Sequence, residues 1–130
     1  MILLDTDTCI RFLRNNPEVK KQITRHDPEI IHISILTVYE LRVGIEKTMF
    51  RKEEKIRDLA TLLGLLKVAP FSDEEASESS RVRAILESKG SAIGPIDNLI
   101  AGTARLRGWT LVTGNVREFK RIPDLRIETW

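Results

Sequence analysis

The sequence predicts an α/β domain in which a mainly parallel sheet is covered by helices on both faces. Three observations point to it. Short apolar, β-branched runs too brief for helices recur along the chain, segments with helical spacing alternate with them, and no repeat, low-complexity tract or linker breaks the alternation. Parallel neighbours need a crossover that passes over one face of the sheet, so the alternation places helices on both faces. With 130 residues, 42% of them hydrophobic and 31% charged, the chain has apolar mass for one core, and a single domain over residues 1–130 is expected.

The elements follow in order. Ile2 to Leu4 is a strand stopped by Asp5, Thr6 and Asp7. Cys9 to Arg14 and Glu18 to Arg25 read as a helix pair broken at Asn15 and Asn16, with Pro17 suited to the first turn of the second; Asp27 and Pro28 end that unit. Ile30, Ile31, Ile33 and Ile35 form a second buried strand, after which Val38, Leu41 and Ile45 switch to helical spacing. Arg51 to Leu66 is an amphipathic helix with Ile56, Leu59, Ala60 and Leu63 on one face. Lys67 to Ala69 makes a brief strand before Pro70. Ser72 or Asp73 then caps a helix running through Lys89 to the stop at Gly90, with Val82, Ile85 and Leu86 as its buried stripe. Pro95 opens a helix carrying Ile96, Leu99, Ile100, Thr103 and Ala104 on one side and ending at Gly108. Thr110 to Thr113 and Leu125 to Glu128 complete the set of strands.

The net charge is only +2, from 21 basic and 19 acidic residues, so the arrangement of charge matters more than its sum. Strand C-termini and the following helix N-termini share one edge of a parallel sheet, where such folds place ligands. Asp5 follows the first strand, Glu40 lies in the first turn of the helix after the second, and Asp97 opens the helix that starts at Pro95. Asn115 and Glu118, after the strand Thr110 to Thr113, join the same rim, and Asp7 stands beside Asp5. Crowded carboxylates repel unless a cation or raised pKa values relieve them. A hard divalent ion, Mg²⁺ or Mn²⁺, suits an all-oxygen set and phosphodiester hydrolysis. Zinc is disfavoured, since Cys9 is the only cysteine and His26 and His32 the only histidines.

Each acid also has a structural reading: Asp5 as a turn or cap residue, Glu40 as the end of a Thr37–Glu40 capping box, Asp97 as a dipole partner. Their convergence favours a site. Arg11 and Arg14, and Arg117, Lys120 and Arg121, are expected to flank the rim as a basic collar that holds phosphates. Cys9 reads as a core residue, His32 as a strand histidine, and Ser34 and Thr37 as shapers of a strand-to-helix turn. No glycine-rich phosphate loop occurs. Nor is there an apolar stretch long enough to span a bilayer, so a cytoplasmic protein is expected.

Four segments together resemble a known family. Ile2-Leu3-Leu4-Asp5-Thr6, Ser34 to Leu41 with Gly44 after it, Gly94-Pro95-Ile96-Asp97-Asn98-Leu99-Ile100-Ala101-Gly102, and Leu111 to Phe119 occur in the order seen in PIN-domain ribonuclease toxins of the VapC type. The resemblance spans nearly the whole chain, and Arg121 to Trp130 is similar to the subgroup found on enteric plasmids and in related chromosomal loci. It implies a three-layer α/β/α PIN fold, Mg²⁺- or Mn²⁺-dependent endoribonuclease activity, a VapB-type antitoxin partner and homodimerisation. It matches Asp5, Glu40 and Asp97 to the metal-binding acids. The chain departs from the pattern in having Asn115 where many PIN domains are acidic, leaving Glu118 as the candidate substitute. Asp7 stands where Asn is usual, an extra acid able to contact metal or to cap the following helix, and Gly114 stands where the subgroup often has Asn. Thr6 and Thr113 are candidates to orient ligands or substrate. The resemblance suggests initiator tRNA as the substrate, and a metal-activated water would leave 5′-phosphate and 3′-hydroxyl ends. Two alternatives remain: a haloacid-dehalogenase-like phosphatase, suggested by Asp5-Thr6-Asp7, and a non-catalytic module that only binds RNA or protein.

Overall fold

A computed structural model describes residues 1–130. Its strands are β1 (Ile2–Leu4), β2 (Ile31–Ser34), β3 (Lys67–Ala69), β4 (Thr110–Val112) and β5 (Arg126–Glu128). The helices are α1 (Thr6–Leu13), α2 (Pro17–Arg25), α3 (Ile35–Lys47), α4 (Lys52–Leu65), α5 (Asp73–Ser88), α6 (Pro95–Arg107) and α7 (Val116–Phe119). The five strands form one sheet in the order β3-β2-β1-β4-β5, every neighbouring pair parallel.

Alternation along β1 divides the core. Ile2 and Leu4 join Ile31, Ile33 and Val112 on one face, packed on Cys9, Val19, Ile23, Val38, Leu41, Leu59 and Leu62 of α1 to α4. Leu3 turns to the opposite face with Ala69 and Leu111, against Val82, Leu86, Ile100, Ala101, Ala104 and Phe119 of α5 to α7. The three-layer α/β/α arrangement is therefore the one expected. On the second face α5 and α6 approach closely: a Cβ added at Gly102 would lie 2.8 Å from Ser79 Cα, so only glycine permits this contact. A buried Glu75 at the start of α5 binds Arg107 at the end of α6 and closes the pair.

Four local expectations change. Ile30 belongs to a 3₁₀ turn (Pro28–Ile30), and Ile35 is already helical, because Ser34 ends the strand and caps α3. The buried face of α4 is Leu59 and Leu62, with Ile56 and Ala60 exposed and Leu63 half-buried. The helix packs one position round from the stripe that spacing alone suggested. α7 was not anticipated: its one turn is too short for periodicity to register, and its buried Phe119 anchors it.

Candidate active site

From β1 to β2 to β3 the chain steps one way along the sheet, then crosses back beyond β1 to place β4. Loops after β1 and β4 therefore leave toward opposite faces and open a crevice between them, the position at which open parallel sheets bind ligands. The ladder continues one residue beyond each strand: Asp5 N–H donates to Val112 O at 3.0 Å and Thr113 N–H to Glu128 O at 3.0 Å. This holds Asp5 and Thr113 side by side in the crevice.

Asp5 caps α1 and also faces the crevice. One carboxylate oxygen accepts the Thr8 N–H at 2.8 Å and the other accepts the Thr113 hydroxyl. Burial raises its pKa, the Thr113 and Thr8 hydrogen bonds counter that, and the nearby Asp7 charge adds to the rise.

Glu40 is not in the first turn of α3 and closes no capping box. Ser34 caps the helix, its Oγ accepting the Leu36 N–H at 3.1 Å, so α3 begins three residues earlier than Val38 and Glu40 lies in its second turn. Freed of capping, Glu40 accepts a hydrogen bond from the Thr6 hydroxyl at 2.5 Å, across from α1. Asp97 lies in the first turn of α6, as expected, with Gly94 at the cap position. Burial, then the charges of Glu40, Asp5 and Glu118, push its carboxyl up to about 6. The charges that act on Asp97 come from three other segments, the end of β1, the helix α3 and the turn α7 that follows β4.

Asn115 and Glu118 are hydrogen-bonded to each other. The Asn115 side-chain amide donates to Glu118 at 2.8 Å, while its backbone N–H donates to Thr113 Oγ at 2.9 Å. Asp7 is exposed at the mouth of the crevice. Arg11 is half-buried and donates from one terminal nitrogen to the Trp130 carbonyl, tethering the C-terminal segment, while its Nη1 lies by the Gly114 loop; Arg14, Arg117 and Lys120 are exposed. Cys9 is fully buried and its thiol is raised by burial and by Asp5, which removes it as a nucleophile. His32 lies with its ring centroid 4.2 Å from that of Trp109, away from the acids, on the strand where it was expected. Two residues went unnoticed in the sequence: Thr8, which completes the Asp5 cap, and Trp130, buried against α2 with its ring stacked on His26. The Asp5-x-x-Thr8 spacing is an N-cap pattern that could have revealed the first.

The donor set is entirely oxygen, which suits a hard divalent ion. No three acidic, histidine or cysteine side chains close into a metal-holding group, so the rim is open. Mg²⁺ fits such a rim because it retains several waters and takes only one or two carboxylates from protein.

A parallel five-stranded sheet with an open acidic rim at its switch point is the arrangement of a PIN domain, and the PIN-domain family model matches residues 2–125. PIN nucleases generally depend on divalent metal. The tRNA(fMet)-specific endonuclease VapC of Salmonella typhimurium is 38% identical over 128 residues, covering 98% of this chain and 96% of that protein. Ribonuclease VapC2 of Rickettsia felis is 34% identical over 132 residues, with 98% and 96% covered. Among solved structures, DNA-bound VapBC from Salmonella typhimurium superposes with a TM-score of 0.93 at 37% identity, covering 99% of this chain and 97% of the matched one. The chain belongs to the VapC family of PIN-domain ribonucleases. The phosphatase and binding-only alternatives fall away with this membership. No helix is long and apolar enough to cross a membrane.

Proposed function

We propose that this chain is the toxin of a VapBC-type toxin–antitoxin pair and a Mg²⁺- or Mn²⁺-dependent endoribonuclease, with Asp5, Glu40, Asp97 and the Asn115–Glu118 pair as its working rim. The observation that carries the assignment of residues is the set of hydrogen bonds that fixes Asp5, Glu40 and Glu118 at the crevice, with Asp97 raised first by burial and then by the charges of these three. When bound, the ion supplies Lewis-acid polarisation of the scissile phosphoryl group. Asp5 and Asp97 would hold it, and Glu40 would hold it or orient the attacking water. Thr113 and Thr6 fix the Asp5 and Glu40 carboxylates by neutral hydrogen bonds, and Asn115 fixes Glu118 in the same way. Arg11, Arg14 and Arg117 are the collar candidates for flanking phosphates.

Relatives named tRNA(fMet)-specific endonuclease make initiator tRNA the first substrate to try, and matched VapBC complexes support a VapB-type antitoxin as partner. Homodimerisation and a cytoplasmic location belong to the same reading. The test is incubation of antitoxin-free protein with total tRNA and mRNA in Mg²⁺, Mn²⁺ or EDTA, beside Asp97→Asn. Metal-dependent cuts with 5′-phosphate and 3′-hydroxyl ends, absent in the variant, are expected. Intact RNA in every lane from folded protein, or 2′,3′-cyclic phosphate ends, would overturn the proposal.

A further inference from the structure

Asp7 is the acid at the crevice that neither caps a helix nor belongs to the rim named above. It lies in the first turn of α1, two residues beyond Asp5, and is exposed. Asp5, not Asp7, caps the helix. Arg11 on the same helix turns to the Trp130 carbonyl and forms no ion pair with it. Nor does Asp7 close a metal-holding group with its neighbours. Its carboxylate instead reaches across the crevice to the loop after β4: a Cβ added at Gly114 would lie 2.9 Å from Asp7 Oδ2 and 3.6 Å from Arg11 Nη1. The bare backbone of Gly114 is what gives Asp7 this position.

An ionised carboxylate only accepts hydrogen bonds, so beside a phosphodiester it repels the substrate unless the substrate donates to it. The donor that accompanies every phosphate of an RNA backbone is the ribose 2′-hydroxyl, the group that also separates RNA from DNA. We propose that Asp7 determines specificity by accepting a hydrogen bond from the 2′-hydroxyl of a ribose next to the scissile phosphate, with Gly114 keeping the space for that approach. The inference rests on the nuclease reading above and deepens it.

The test uses a short RNA spanning a cut site mapped as described, and matched strands with a single 2′-deoxy or 2′-fluoro nucleotide on either side of the cut. Single-turnover rates are compared for wild type, Asp7→Ala and Gly114→Ala. Wild type should slow by about 10- to 100-fold at one of the two positions, equally for deoxy and fluoro because neither donates. Asp7→Ala should lose about as much on the all-RNA strand and nothing further on the modified one, since both changes remove the same bond. Gly114→Ala should behave like Asp7→Ala with an unchanged urea midpoint, because only a flexible carboxylate tip has to move aside. Additive losses, indifference of wild type at both positions, or faster cleavage by Asp7→Ala would overturn the role given to Asp7. A wild-type protein that cuts no RNA would instead overturn the proposed function itself.

Discussion

Removing the charge of Asp97 should make the metal-free protein more stable while abolishing its activity. Its carboxyl stands at about 6 against an ordinary 3.8, so folding at neutral pH ionises a group in surroundings that disfavour the charge. The sign follows from linkage. Folding strengthens proton binding at this site, so stability is full below about pH 4 and falls as pH rises through about 6. At about 1.4 kcal/mol per tenfold change in proton affinity, the largest loss above pH 7 is about 3 kcal/mol. Asp97 is partly open to water, and screening reduces the loss to about 1–2 kcal/mol. In EDTA, urea denaturation of Asp97→Asn at pH 7.5 should therefore show a gain of about 1–2 kcal/mol that disappears near pH 4. Added Mg²⁺ should raise the midpoint of the wild type and leave that of the variant nearly unchanged. A variant no more stable than wild type at pH 7.5, or a gain independent of pH, would refute the account of a rim strained by its own charges.

Three further outcomes follow from the packing and the hydrogen bonds. Gly102→Ala brings a Cβ to 2.8 Å from Ser79 Cα, forces α5 and α6 apart, and should cost about 1–3 kcal/mol in urea denaturation. Glu75→Gln leaves Arg107 without its counter-charge and should cost about 2–4 kcal/mol at pH 7. Burial raises the Glu75 carboxyl, but hydrogen bonds from Ser72 and Arg107 outweigh it and hold it at about 2 against 4.5. Its contribution is therefore complete above about pH 4.5 and lost as pH falls toward about 2, so the variant should show a shallower acid-unfolding slope over that range. Thr113→Val deprives Asp5 of its hydroxyl donor and Asn115 N–H of its acceptor; a loss of about 1–3 kcal/mol and a rate lower by about 10- to 100-fold are expected by denaturation and RNA cleavage.

The strands and the long helices were legible because their signals are local. Ile2–Leu4 is an apolar run closed by Asp5, Lys67–Ala69 is a short segment stopped by Pro70, and α6 carries Pro95 at its start and Gly108 in a left-handed conformation at its end. The start of α3 was misplaced because Ile35 and Leu36 suit a strand as well as a helix. The deciding group is the Ser34 hydroxyl, which takes the Leu36 N–H. That shift matters for the site, since it carries Glu40 from a capping role into contact with Thr6. Acid convergence followed from topology alone, as strand ends share an edge. The fate of Arg11 did not, because its partner, Trp130, is far away in sequence and is brought to it only by the completed fold.

The partners given to the carboxylates follow one chemical rule. Asp5 is held by a hydroxyl and a backbone N–H, Glu40 by a hydroxyl and Glu118 by an amide, while Asp97 receives no hydrogen bond. A lysine or arginine in any of these places would stabilise the folded chain more, because it would cancel charge. It would also compete with a divalent ion for the same oxygens. Neutral donors fix the position of a carboxylate without neutralising it. Arg11, whose Nη1 reaches the Gly114 loop, donates to the Trp130 carbonyl and forms no ion pair with the acids. The rim thus keeps its negative charge at the expense of stability, and the Glu75–Arg107 bond, at the opposite end of α6 from Asp97, adds rigidity without cancelling the charge needed at the crevice.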